Sequence, residues 1–225
     1  MSDRIASEKL RSKVMSADEA AQFVNAGDKV GMSGFTGAGY PKALPTAIAN
    51  RAKEAHAAGS EYAIDLFTGA STAPDCDGVL AEADAINFRM PYASDPIMRN
   101  KINEGKMFYS DIHLSHSGQY VENGFFGKLN VAIVEATRIT EEGHIIPSSS
   151  VGNNVEYLAA AEKIIIEVNS WQSADLEGMH DIWALPKLPN RIAIPINNAG
   201  DRSGKSYIEI DTDKVVAVVE TNTPD

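Results

Sequence analysis

Five short apolar runs constrain the fold of this chain more than any other feature. They lie at residues 29–33 (KVGMS), 62–67 (YAIDLF), 130–135 (NVAIVE), 163–168 (KIIIEV) and 214–220 (KVVAVVE). Each is too short for a helix of ordinary length, and most are near-continuous rather than alternating in apolar character, as strands covered on both faces are. Helical stretches separate them. The alternation predicts an α/β fold, a mostly parallel open sheet flanked by helices, as one domain over residues 1–225. In that class, ligands sit at the carboxyl ends of the strands.

The connecting segments carry their own signals. Residues 4–14 read as a short helix or arm. Ser16 with Glu19 three residues on is a capping box, opening a helix that should end near Gly27. Pro41 suits a helix start, and residues 42–58 are strongly helical, with Leu44, Ile48 and Ala52 on one face and Gly59 as the stop. Residues 76–83 should form a short helix, 85–89 a strand, and Ser94, Asp95 and Pro96 should cap a helix running to about Asn103. A short strand at 108–112, helix at 117–121, a hairpin over 138–146 turning at Glu142 and Gly143, and a helix at 154–161 complete the middle. Residues 191–196 and 207–210 are also β-rich. Residues 171–190, with Pro186 and Pro189, are the least regular, a surface excursion or the lip of an interface.

Two strand ends run into loops of small residues. The first, residues 33–41 (SGFTGAGYP), holds Gly34, Gly37 and Gly39 around Phe35 and Thr36. Such a backbone turns sharply and approaches something closely, and its N–H groups at the mouth of the next helix suit an anion, a phosphate or a developing oxyanion. The second, residues 68–72 (TGAST), adds hydroxyls, so both loops should line one cleft. Familiar constellations are missing. There is no G-x-S-x-G, no P-loop and no H-E-x-x-H; the glycine spacing is the reverse of a dinucleotide fingerprint; and the H-x-x-H of His113 and His116 has no third ligand at suitable spacing. His56 reads as a surface residue, and adjacent His180 and Asp181 as structural or interface residues.

The formal net charge is −11, unevenly spread: residues 1–60 carry eight Lys and Arg against six Asp and Glu, the rest 12 against 25. So acidic a chain lacks the basic footprint of a nucleic-acid binder. The single Cys76 excludes an internal disulfide framework and reads as an ordinary loop or helix-start residue. No apolar run approaches the about 20 residues of a membrane span, and residues 1–13 lack the apolar core of a secretory signal, so the expected location is cytoplasmic.

The stretch 28–41 (DKVGMSGFTGAGYP) resembles the signature of the family I coenzyme A transferases, an apolar run leading into G-G-F-x-x-x-G-x-P. Gly34, Phe35, Gly39 and Pro41 match it, and Ser33 replaces the first glycine, a departure typical of the acetyl-CoA hydrolase/transferase branch, which includes succinyl-CoA:acetate CoA-transferases. Further segments are similar to that branch: LFTGAST (66–72), FFGKLNVAIVEAT (125–137), SSVGNN (149–154), EKIIIEVN (162–169), GMHDIW (178–183) and DKVVAVVETN (213–222), covering essentially the whole chain.

The resemblance implies acyl exchange between an acyl-CoA and a small carboxylate, with coenzyme A as substrate and no covalent cofactor or metal. A glutamate attacks the thioester to give an acyl-glutamyl anhydride, and CoA thiolate returns to form a glutamyl-CoA thioester that the second carboxylate resolves. It also implies two similar α/β halves, the nucleophile lying in the second. Glu135, Glu167 and Glu220 do not stand in the nucleophile motif. This chain is therefore expected to be the amino-terminal half, with no catalytic residue of its own and inactive alone. Its cleft residues would be Gly34, Phe35, Thr36, Gly37, Ser71 and, more weakly, Ser94; the plain alternatives are a loop hydroxyl for Ser71 and a helix cap for Ser94. Its partners would be a carboxy-terminal half, on the same or a separate chain, and further copies in a homo-oligomer, with no nucleic acid or membrane. An acetyl-CoA hydrolase, differing only in its acceptor, and a non-catalytic sensing or assembly module on the same fold are the alternatives.

Overall fold

In the computed structural model, which describes residues 3–32, 34–70 and 73–225, the five apolar runs all become strands of one sheet. In chain order the strands are β1 (Lys29–Met32), β2 (Ile64–Phe67), β3 (Ile86–Met90), β4 (Phe108–Tyr109), β5 (Val131–Ile139), β6 (Ile145–Pro147), β7 (Lys163–Asn169) and β8 (Val215–Thr221). They lie in the order β4-β3-β2-β1-β5-β7-β8, every neighbouring pair parallel, with β6 antiparallel on the far end of β5.

The continuous apolar strands are explained by what covers them. Along β5, Val131 and Ile133 enter one core cluster and Ala132, Val134 and Ala136 the other, as the two-residue strand period requires. The first core holds the helices that follow β1, β2 and β3, α3 (Ala43–Ala57), α4 (Val79–Glu82) and α5 (Pro96–Asn103), and the short α2 (Ala17–Ala21) near the amino terminus, whereas α1 (Glu8–Arg11) places Leu10 in the second core. The second holds α6 (Leu114–Glu122) and α7 (Asn154–Ala160). The chain thus winds outward from β1 to β4 on one face and returns to β5 on the other. The winding direction reverses between β1 and β5, where such sheets open a crevice at their carboxyl edge.

Local signals were mostly sound. Ser16 and Glu19 form the full capping box, although the helix it opens, α2, already ends at Ala21 rather than near Gly27. The 138–146 hairpin turns through Gly143 at φ +87°. The short helix expected at 76–83 is split: Pro74–Gly78 makes a single wide π-type turn before α4. The cap of α5 is Asp95, whose carboxylate accepts from Met98 N at 2.9 Å, so Ser94 does not serve as the cap. Residues 171–190 are irregular apart from the 3-10 turn Ala174–Leu176 and a bridge from Ile182 to Lys205. The β expectation at 191–196 is corrected: it joins no strand, Pro195 has no N–H to give a ladder, and Ile192, Ile194 and Ile196 face outward. Residues 207–210 contribute one bridge, Ile208 to Ile145.

Candidate active site

Three loops converge on the carboxyl edge around β1. The chain leaves β1 into a tight hairpin in which Phe35 N donates to Ala38 O at 2.9 Å and Ala38 N to Phe35 O at 3.1 Å. Its tip is outward: Phe35 is 48% exposed, and Thr36 and Gly37 are exposed. Thr36 has φ +51°, an uncommon conformation for a β-branched residue, and strain of that kind costs of order 1–3 kcal/mol, which its surroundings must hold in place. What holds it is the second loop, because Thr36 N donates to Ala70 O at 3.1 Å, and Ala70 too is left-handed, at φ +64°. The expected juxtaposition of the two loops is therefore present. Ser71 lies outside the described residues. Ser94 is half-buried beyond the end of β3, two strands away from the first loop.

The third loop, residues 148–154, reaches the same edge because β6 folds back antiparallel along the end of β5. Ser150 Oγ donates to Ala38 O at 2.9 Å. A Cβ on Gly39 (φ +65°) would lie 2.8 Å from Ser150 N, so glycine is what lets the two loops touch. Asn153 Nδ2 bonds Ser117 Oγ at 2.6 Å, and Tyr157 OH donates to Thr68 O at 2.8 Å, fixing the start of the second loop. Tyr157 itself fits because β1 carries Gly31: a Cβ there would lie 2.7 Å from its ring.

Beneath the loops the expectation of an open helix mouth is corrected. The first N–H groups at the head of α3 are filled by the chain's own Glu167, whose carboxylate accepts from Lys42 N at 2.8 Å, Ala43 N at 3.0 and 3.1 Å, and Leu44 N at 3.1 Å. A helix end already neutralised in this way is no phosphate cradle. Burial pushes the Glu167 carboxyl up, and the three N–H groups pull against that. Beside it, Lys42 Nζ meets Glu135 Oε2 at 2.6 Å and Asp225 Oδ1 at 2.8 Å. Asn169 and Gln172 also donate to Glu135, at 2.9 and 3.1 Å. Glu135 and Glu167 are fully buried and bonded, so neither presents a carboxylate to a thioester.

The other candidates have structural surroundings. Cys76 is wholly buried, which pushes its thiol well above the ordinary range. His56 Nε2 donates to Tyr62 O (3.0 Å) and His180 Nε2 to Pro147 O (3.1 Å). Asp181 accepts from Ser203 N and Gly204 N, which hold its carboxyl below the ordinary value. Sequence reasoning missed Lys42, Ser150, Asn153, Gln172 and Asp225 as parts of the site. The legible hint was a glutamate inside each of two buried strands, which demands partners.

The chain matches the family described as acetyl-CoA hydrolase/transferase N-terminal domain over residues 1–220. It is 45% identical to succinyl-CoA:acetate CoA-transferase of Clostridium kluyveri (99% of this chain, 41% of that protein) and 45% identical to propanoyl-CoA:succinate CoA transferase of Escherichia coli (94% and 43%). It is 40% identical to an acetyl-CoA hydrolase of Schizosaccharomyces pombe (100% and 44%). It thus spans less than half the length of these relatives. Among solved structures, glutaconate coenzyme A-transferase from Acidaminococcus fermentans superposes with a TM-score of 0.63 over 93% of this chain and 76% of that one, at 14% identity. RipA from Yersinia pestis does so with 0.64 over 96% and 44%, at 16%. At such identity these two establish the fold alone. With the family matched along nearly its whole length, this chain belongs to the acetyl-CoA hydrolase/transferase family.

Proposed function

We propose that this chain forms one wall of the active site of an acyl-CoA:carboxylate CoA-transferase of the succinyl-CoA:acetate type. The nucleophilic glutamate comes from a carboxy-terminal half. The observation that carries the reading is the pairing of an outward, strained loop tip with inward, occupied carboxylates. Phe35, Thr36 and Gly37 face solvent at the sheet's switch point, whereas Glu135 and Glu167 are locked beneath them.

In this reading the wall shapes and the other half attacks. The incoming glutamate forms the anhydride with the acyl group and expels CoA thiolate; the thiolate re-enters to release the first carboxylate; the acceptor carboxylate then repeats the two steps in reverse order. Each tetrahedral state carries an oxyanion that fixed N–H donors stabilise, which rewards a rigid loop over a mobile one. Gly34 and Gly37 shape the turn, Phe35 packs along the thioester, and Ser71 is assigned a hydroxyl role, with Ser94, two strands away from the first loop, the weaker candidate. Water as acceptor would make the same wall part of an acetyl-CoA hydrolase, the activity named for several relatives. Among the described residues, no helix is long and apolar enough to cross a membrane.

Phe35 gives a clean test because it is half out of the protein. In a protein carrying both halves, Phe35→Ala should shift the urea unfolding free energy by no more than about 0.5 kcal/mol. It should lower kcat/KM for thioester exchange at least tenfold, about 1.4 kcal/mol of transition-state stabilisation. Unchanged kcat/KM would place the cleft elsewhere.

A further inference from the structure

Asp225 is bonded to four residues around the base of the site. Oδ1 meets Lys42 Nζ at 2.8 Å and Gly39 N at 3.4 Å, while Oδ2 accepts from Ser149 Oγ at 2.7 Å and Gln172 Nε2 at 2.8 Å. The approach to it is pinned as well, because Asn169 Oδ1 accepts from Thr223 N at 3.1 Å and Asn169 Nδ2 donates to Thr223 O at 2.7 Å. Lys42 is the hub of this arrangement. Its ammonium touches Glu135, Asp225 and Tyr40 O (3.0 Å) and lies 4.3 Å over the Tyr40 ring, with its side chain 2% exposed. Gly39 and Tyr40 are the return arm of the glycine hairpin. The hub therefore grips the loop at its base and the segment after β8 at the same time.

We infer that Lys42 is a positioning residue, which through Asp225 latches the glycine hairpin to the segment that follows β8 and so sets the geometry of the exposed tip. Lys42 touches no part of the tip, and its effect passes through Tyr40 O, Asp225 and Gly39 N. Burial by itself would lower the Lys42 ammonium; Glu135 and Asp225 more than reverse this and hold it above its usual range. Burial raises the Asp225 carboxyl, and the hydrogen bonds from Lys42, Gln172 and Ser149 bring it below the usual carboxylate value. Both ends of the latch are thus charged across the neutral range. Because Asp225 is the depressed group, its contribution is present above the ordinary aspartate pKa and is lost as pH falls through the depressed one.

The inference rests on the reading that the hairpin is a wall of the acyl-CoA cleft, but its first test needs no substrate. Hydrogen exchange is followed in the 225-residue chain and in its Asp225→Asn, Asp225→Ala and Lys42→Met variants. The expected result is at least tenfold faster exchange of the amides of residues 35–40 in each variant, with β5 amides changed less than twofold. The double variant Lys42→Met/Asp225→Ala should exchange no faster than the faster single, because one latch is being broken twice. Should Lys42→Met not fold, the two Asp225 variants decide the matter, since that side chain is partly exposed and its loss leaves Lys42 paired with Glu135. Unchanged loop exchange in the Asp225 variants, or acceleration spread equally over loop and β5, overturns the latch. In a protein carrying both halves, Asp225→Asn should lower kcat at least tenfold with KM for the acyl-CoA held within twofold, and an unchanged kcat overturns the positioning role. An unsubstituted two-half protein without exchange activity would overturn the proposed function, and the exchange measurement would still decide the latch.

Discussion

Asp77→Ala is expected to destabilise the chain by about 3–5 kcal/mol, enough to send much of it to the insoluble fraction at 37 °C. Asp77 sits in the π-type turn after the second loop and is wholly buried, as is Arg89 on β3. The two are paired in a fork: Arg89 Nε meets Asp77 Oδ1 and Nη2 meets Oδ2, each at 3.1 Å, and Nη1 reaches Met90 O. Burial raises the Asp77 carboxyl while the guanidinium pulls it down. The large cost comes from the group left behind, since removing the carboxylate strands a guanidinium away from water. Asp77→Ala/Arg89→Met, which removes both charges, should recover at least half of the loss, as read from urea midpoints. A double variant no more stable than Asp77→Ala would mean that local packing, not the stranded charge, sets the cost.

Gly39→Ala is the second large expectation, and it reads activity as well as stability. At φ +65° an L-residue pays about 1–2 kcal/mol relative to glycine. The new Cβ would also lie 2.8 Å from Ser150 N, so the first or third loop must shift. A total loss of about 2–3 kcal/mol follows, by urea unfolding. In a two-half protein kcat should fall about 100-fold, because a displacement near 1 Å at the reacting groups has that effect. Gly37→Ala is the control. Among the described residues, no heavy atom lies within 4 Å of the position its Cβ would take, and stability should change by less than about 0.5 kcal/mol.

The contrast between those two glycines illustrates what could be read in advance. Composition marked residues 33–41 as a turn at a strand end, and the matched signature singled out Gly39 but not Gly37, yet neither said what Gly39 approaches: a loop 111 positions away at Ser150. Strands β1, β5, β7 and β8 were legible to within a few residues because burial on both faces writes itself as a continuous apolar run. The run at 191–196 shows the limit: alternating isoleucines look like a strand, yet pairing needs a free edge and N–H groups that Pro195 lacks. The base of the site was least legible. Lys42 and Glu135 are 93 positions apart, and Glu167 caps a helix 125 positions before it. Only the sheet order, which puts β7 beside β5 and β5 beside β1, brings them together. The same order turned the presumed phosphate cradle at α3 into a site already filled by the chain's own carboxylate.

Acyl exchange tests whether this chain supplies a wall of the site and not the nucleophile. Succinyl-CoA and labelled acetate are incubated with the 225-residue chain, with a carboxy-terminal half of the same family, and with the two together, and labelled acetyl-CoA is followed. No turnover above background is expected from either half alone, and robust turnover from the pair. Turnover by the 225-residue chain alone would contradict this.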